Sequence, residues 1–153
     1  MSTGIPMPPH QPLIRLLGNA FDEFSEEMNR RIAQTPYSDV RMTHGCVFGN
    51  IEPEGSRLTY LAERANMTKQ SVGEVTTELE RLGYVERVPD PADGRAKIIR
   101  LTERGHAAQT LGLGIIDEIE REWAERHGAD LVGALREALE AVTAERLGAV
   151  PVA

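Results

Sequence analysis

Apolar residues return at three- and four-residue steps through Leu13, Leu16, Leu17, Ala20, Phe21, Phe24, Met28 and Ile32, with Asp22, Glu23, Glu26 and Glu27 between them. That is the period of one helical face, and it predicts a helix that Pro36 closes. Val40, His44, Val47, Phe48 and Ile51 repeat the spacing and predict a second helix from about Ser38, stopped by Pro53 and Gly55. Leu58 to Leu82 reads as two short helices separated at Asn66-Met67. Leu61, Ala62 and Ala65 give the first its buried face; Val72, Val75, Leu79 and Leu82 form the stripe of the second. Thr68 suits the N-cap of that second helix, because its hydroxyl can accept a backbone N–H that the helix leaves unbonded. Gly83 is a natural stop.

The period changes after Gly83. Tyr84 to Val88 and Ala96 to Leu101 favour extended chain, and the intervening Pro89-Asp90-Pro91-Ala92-Asp93-Gly94 is turn chemistry. A two-stranded hairpin is expected, with Asp93-Gly94 as its turn dipeptide. Thr102 then caps a long helix bearing Leu111, Ile115, Ile116, Ile119 and Trp123 on one face, and His127-Gly128 breaks it. A last helix carries Leu131, Leu135, Leu139, Val142 and Leu147. The first twelve residues hold four prolines and read as an extended, flexible arm. The expected fold is mainly α with a small β-hairpin. Its parts are an arm at 1–12, N-terminal helices at 13–52, a central lobe at 56–102 and C-terminal helices at 103–148.

Composition narrows the classes. Charged residues are 27% of 153 and hydrophobic ones 41%, as in a soluble globular chain. No run is long and apolar enough for a membrane span, and residues 1–12 lack the pattern of a secretory signal. One cysteine excludes an internal disulfide. A cytoplasmic protein is expected. The net charge of −7 argues against a nucleic-acid partner, but its distribution argues the other way. From Arg57 to Arg104 nine basic residues face eight acidic ones, so the acidic excess lies outside this segment.

Helix, turn, helix and β-hairpin in that order make a winged helix-turn-helix. With Val72, Val75, Leu79 and Leu82 buried, the opposite face of the second helix centres on Gln70, Gly73, Glu74, Thr77 and Arg81, with Lys69 and Ser71 in its first turn. A helix fits the DNA major groove, where its N-terminal residues reach base edges. Arg95 at the hairpin tip suits the minor groove, with Lys97 beside it and Asp93 positioned to orient Arg95 or a neighbouring N–H.

The runs Leu58-Thr59-Tyr60-Leu61-Ala62-Glu63-Arg64-Ala65, Met67-Thr68-Lys69-Gln70-Ser71, Leu79 to Arg87, Asp90-Pro91-Ala92-Asp93-Gly94-Arg95-Ala96-Lys97 and Leu101-Thr102-Glu103-Arg104-Gly105 resemble a MarR-family transcriptional regulator. The resemblance covers residues 58–105, and the wing run Asp93 to Lys97 is its most specific part. It implies a homodimer joined by the terminal helices and a pseudo-palindromic double-stranded DNA operator, usually repressed. It also implies release by a small aromatic or phenolic ligand in a crevice between the dimerisation helices and the DNA-binding lobe; other relatives respond to thiol oxidation or metals. The DNA-contacting set is then Thr68, Lys69, Gln70, Ser71, Glu74, Thr77, Arg81, Asp93, Gly94, Arg95 and Lys97, and the crevice set is His44 and Phe48. Glu74 departs from the family, in which many members carry a basic residue there. Either Glu74 reads a cytosine amino group, or a cation within the helix neutralises it, and Gln70 and Glu78 one turn away supply none. Lys69, Arg95 and Lys97 are expected to carry most of the phosphate attraction.

Other chemistry is weaker. Cys46 sits among apolar neighbours, unlike a sensor thiol beside positive charge. His44 and Cys46, two apart on a helix, diverge as metal ligands, even with His106 or His127 in view. No phosphate loop, nucleophile elbow or zinc-protease motif is present, so no enzyme and no cofactor are expected. The alternatives are a thiol- or metal-responsive regulator, and a protein–protein interaction module that has lost DNA.

Overall fold

A computed structural model describes residues 9–148; the arm read over 1–12 lies outside them up to residue 8. Six α-helices and one two-stranded antiparallel sheet follow the order α1 (Leu13–Ile32), α2 (Gly45–Phe48), α3 (Leu58–Ala65), α4 (Lys69–Arg81), β1 (Val85–Pro89), β2 (Lys97–Leu101), α5 (Glu103–His127) and α6 (Ala129–Gly148). The chain is mainly α with a β-hairpin wing on a helix-turn-helix.

Two apolar clusters hold it. In the first, Ile32 of α1 is buried with Ile115 and Ile119 of α5, and Phe24, Met28, Leu111 and Trp123 flank them. Phe24 meets Trp123 edge to face, ring centres 5.4 Å apart, a favoured aromatic geometry. Arg31 ties the same helices from outside, its guanidinium 2.6 Å from Glu122 and 2.6 Å from Glu27. Only the second half of α1 is covered in this way. Leu13, Ile14, Leu16, Leu17 and Phe21 stay exposed, as do Leu131, Leu135, Leu139 and Val142 on α6.

The second cluster is the core of the small lobe. Val47, Leu61, Ala62, Val72, Leu79, Tyr84, Val85, Ile99, Leu101 and Ala108 are buried together. The stripe of α4 differs from the expected one. Val72 and Leu79 are fully buried, Val75 and Leu82 only partly, and Thr76 is fully buried between them. Its hydroxyl donates to the Val72 carbonyl at 2.7 Å, which satisfies the buried oxygen and leaves the methyl to pack.

The helix expected from Ser38 is the main correction. The chain turns through residues 33–39, and a single 3-10 turn at Met42–His44 leads into the four-residue α2. Gly45 opens α2 and Gly49 follows it, and glycine disfavours helix by about 1 kcal/mol. The periodic spacing is nonetheless real, because the segment packs on two sides. His44 and Val47 are buried, and Met42 N donates to Asn29 Oδ1 of α1 at 3.0 Å.

Local chemistry places the other boundaries. Thr68 Oγ1 caps α4 by accepting from Ser71 N, and Thr102 Oγ1 caps α5 by accepting from Gly105 N, both at 3.1 Å. Asn66, at φ 52, ends α3 in the left-handed region. Gly83, at φ 82, turns the chain from α4 into β1, where a Cβ would be strained. β1 and β2 pair in the register Val85↔Leu101 and Arg87↔Ile99. Ser56 adds one further bridge to Ile99, with bonds of 2.9 and 2.8 Å. A single-residue pairing has no alternating pattern, so nothing in the sequence announces it.

Candidate nucleic-acid interface

Thr68, Lys69, Gln70, Glu74, Thr77 and Arg81 are exposed along the outer side of α4, and Ser71 is partly covered. All three hydroxyls of this face, on Thr68, Ser71 and Thr77, are already engaged. Thr68 Oγ1 accepts from Ser71 N and donates to Ser71 Oγ at 2.8 Å. Thr77 Oγ1 donates to the Gly73 carbonyl at 2.9 Å and accepts from Arg87 Nη2 at 3.2 Å. Thr77 is exposed with its hydroxyl taken up by these two bonds.

Arg87 is not in the DNA-contacting set expected from the sequence. It lies on the same hairpin face as Val85, Ile99 and Leu101, which brings it against α4. With Leu58, Gln70, Gly73, Glu74 and Thr77 it lines a shallow depression on the outer face of α4. The signal was the alternation of β1: two positions after buried Val85, an arginine must surface at the edge of the helix.

The wing is held at its base. Asp90 N donates to the Ala96 carbonyl at 3.0 Å, and Arg57 of the segment before α3 binds Asp90 through Nε at 2.7 Å and Nη2 at 2.6 Å. Asp90 Oδ1 accepts from Ala92 N at 2.9 Å. That N–H, followed by the Arg57 guanidinium, holds the Asp90 carboxyl below its ordinary range. The tip consists of two successive turns, Asp93 N to Asp90 O and Ala96 N to Asp93 O. Gly94 is not in the left-handed region, so Asp93-Gly94 is not the two-residue hairpin turn that its composition suggested; the longer loop distributes the reversal over Asp90 to Ala96. Asp93 Oδ1 accepts from Arg95 N at 3.1 Å, the orienting bond expected of it, and leaves the Arg95 side chain exposed.

Eight of the nine basic residues from Arg57 to Arg104 fall into two groups. Arg57, Arg87, Arg100 and Arg104 each have a carboxylate within 4 Å. Lys69, Arg81, Arg95 and Lys97 have none among the described residues, and all four are exposed. The second group lies on the outer side of α4 and on the wing, where a polyanion would meet them.

Behind the lobe, between α1, α2 and α5, lies an apolar crevice of about 250 Å³. Met28, Ile32, Val40, Phe48, Leu111 and Ile116 line it, with Tyr37, Arg41 and Gln109 as its polar groups. Phe48 is therefore on the crevice wall and His44 is not. His44 is 1% exposed and faces α4: Nδ1 accepts from Arg41 N at 3.0 Å, and Nε2 stands 3.3 Å from Glu78 Oε2. Cys46 is half-buried, and burial pushes its thiol up from its ordinary value, the direction opposite to an activated thiolate. Among the described residues no three of His, Cys, Asp and Glu converge as metal ligands, and no helix is long and apolar enough to cross a membrane.

Comparison with known proteins agrees with this geometry. Residues 38–96 match the model of the MarR family. The chain is 26% identical to the HTH-type transcriptional regulator YdcH of Bacillus subtilis (strain 168) over 108 residues, 69% of this chain and 74% of the relative. It superposes on CouR of Rhodococcus jostii RHA1, solved with bound p-coumaroyl-CoA, with a TM-score of 0.72 at 22% identity, over 86% of this chain and 92% of that one. It superposes on Streptococcus pneumoniae FabT, solved in complex with DNA, with a TM-score of 0.71 at 15% identity, over 85% and 92%. At these identities the two structures establish a common fold.

Proposed function

We propose that this chain, a winged helix-turn-helix transcriptional regulator of the MarR family by its residues 38–96, is a cytoplasmic repressor that binds a pseudo-palindromic DNA operator as a homodimer. The observation that carries the reading is the set of exposed cations Lys69, Arg81, Arg95 and Lys97, without a carboxylate partner among the described residues and presented by α4 and the wing. Two copies related by a two-fold axis set their α4 helices into successive major grooves about 34 Å apart, and each Arg95 enters the flanking minor groove. The exposed apolar faces of α1 and α6 form the junction between copies. The FabT complex with DNA supports the DNA-binding part of this reading.

A small aromatic or phenolic ligand in the crevice relieves binding. The crevice walls are apolar, and Tyr37, Arg41 and Gln109 give a polar head group donors to meet. CouR, of the same fold, binds p-coumaroyl-CoA. Gln109 already joins α5 to α2 through a 2.8 Å bond to the Phe48 carbonyl. A ligand seated there alters the spacing of the lobe against α5, and a coupling of about 1–3 kcal/mol suffices for a response.

Salt titration tests the DNA-binding part. Affinity for duplex DNA should fall steeply between about 50 and 200 mM salt as phosphate contacts release counterions. Arg95→Ala should weaken binding and lower the log–log salt slope by about 1 for each protomer. A slope unchanged by that substitution overturns the wing assignment. Thermal shift and DNA release with hydroxybenzoates and hydroxycinnamates test the crevice.

A further inference from the structure

Three carboxylates stand on α4 within seven residues, and their surroundings separate them. Glu78 is exposed but reaches the buried His44, its Oε2 3.3 Å from His44 Nε2. Glu80 lies beside Arg87, 3.5 Å from its Nε. Glu74 is exposed on the outer face, and no cation among the described residues lies within 4 Å of it. Its partner is neutral: Gln70 Nε2 donates to Glu74 Oε1 at 3.4 Å from one turn nearer the helix N-terminus. Arg87 lines the same depression but is spent on Thr77 and Glu80. Neutralisation by a cation within the lobe is therefore not the role of Glu74.

The Gln70 bond also sets what the face presents. One amide N–H of Gln70 is turned to Glu74, and the exposed Glu74 presents carboxylate oxygens. The centre of the face thus carries a charged acceptor, while Lys69 and Arg81 lie toward its two ends. Against phosphate a carboxylate is repelled. Against guanine O6 and N7, or thymine O4, it meets another acceptor. The major-groove donors are the amino groups of cytosine N4 and adenine N6. Adenine N6 is flanked on its own major-groove edge by the acceptor N7, whereas cytosine N4 is flanked by a C–H edge. Resting on the DNA-binding reading above, we infer that Glu74, held by Gln70, is the specificity-determining residue of α4 and accepts a hydrogen bond from the N4 amino group of one cytosine in each half-site.

The experiment is selection of bound duplexes from a randomised library, followed by titration of single duplexes, with the wild-type chain, Glu74→Gln, Glu74→Ala and Glu74→Arg. Far-UV circular dichroism confirms that each exposed-site variant is folded. The wild type should select cytosine at one position per half-site, and replacing that base pair should weaken binding about tenfold. Glu74→Ala should erase that preference and keep the others, Glu74→Gln should move it toward adenine, and Glu74→Arg should move it toward guanine. The same selected sequence for the wild type and Glu74→Ala overturns the inference, as does a Glu74-dependent preference for guanine or thymine. In those outcomes sequence-selective DNA binding itself stands. If the wild type selects no sequence at low salt, the DNA-binding reading falls with it, so the two failures are distinct.

Discussion

Arg57 grips Asp90 across 33 positions of sequence, its Nε 2.7 Å and Nη2 2.6 Å from Asp90 Oδ2. The pair joins the segment ahead of α3 to the base of the wing, so the wing is fixed to the helix-turn-helix rather than hanging from its strands alone. Two nitrogens on one carboxylate oxygen also fix direction, which a lysine does not do.

Arg57→Ala should therefore loosen the wing without unfolding the lobe. The expected result is faster amide hydrogen exchange at Ala92 to Ala96, several-fold weaker DNA binding and an unchanged helical spectrum. The pH dependence has a definite side. The Asp90 carboxyl is held below its ordinary value, first by Ala92 N–H and then by Arg57. Its contribution is fully present above the unfolded value and is lost as pH falls through the folded one. Wing protection should be flat through neutral pH and fail only in acid.

Gly105→Ala should be strongly destabilising. A Cβ there would sit 2.0 Å from the Tyr84 carbonyl oxygen and 3.2 Å from Leu101 Cδ2. The first neighbour is backbone and cannot rotate away. Overpacking of this kind costs about 1–3 kcal/mol or more. Urea denaturation should show an earlier midpoint with an unchanged slope.

How far these features were legible depends on the range of the interaction that makes them. Thr68, Thr102 and Gly83 act on backbone within a few residues, so their types and spacing announced the helix ends. The hairpin and the outer face of α4 followed from periodicity. Thr76 was hidden by its hydroxyl, whose partner is the carbonyl four residues back. Arg57–Asp90, Ser56–Ile99 and Arg87–Thr77 are tertiary, and composition names none of their partners. The short α2 was misread because packing on both sides imitates a helical stripe. His44 was placed toward the crevice for the same reason: its segment lines that wall, but its own ring turns to α4.

Tyr84→Phe should reveal an alkaline dependence. The ring is wholly buried, while the hydroxyl donates to Asp39 and accepts from Arg104 Nη2 at 2.9 Å. Burial, then the bond to Asp39, pushes the phenol up to about 12 from 10.0. The neutral phenol is thus favoured in the folded chain. Stabilisation is complete below the unfolded value and is lost as pH rises from about 10 toward about 12. The phenylalanine variant should lose about 1 kcal/mol at neutral pH, and the part of the alkaline decline due to Tyr84 should disappear. Chemical denaturation at a series of pH values measures both.

A single chain leaves two helical faces bare. Leu13, Leu17 and Phe21 follow one another at four-residue steps on α1 and are 75%, 47% and 62% exposed. On α6, Leu131, Leu135 and Leu139 repeat the step and are 64%, 43% and 39% exposed. Most of a helix's stability in a protein comes from packing its apolar face, and large contiguous apolar patches are uncommon on monomers. A second copy covering both helices supplies what each lacks, and two-fold symmetry is the commonest way to close such a contact. Sedimentation equilibrium should give twice the chain mass for the wild type. Leu17→Glu combined with Leu135→Glu should give a single copy, because each junction would then bury a carboxylate without a partner. Separated copies engage half-sites one at a time and lose the gain of linked binding, so affinity for the full operator should fall at least a hundredfold while binding to a half-site changes little. A wild-type chain that sediments as one copy at the concentrations where it binds DNA would remove the two-fold arrangement and the operator symmetry that follows from it.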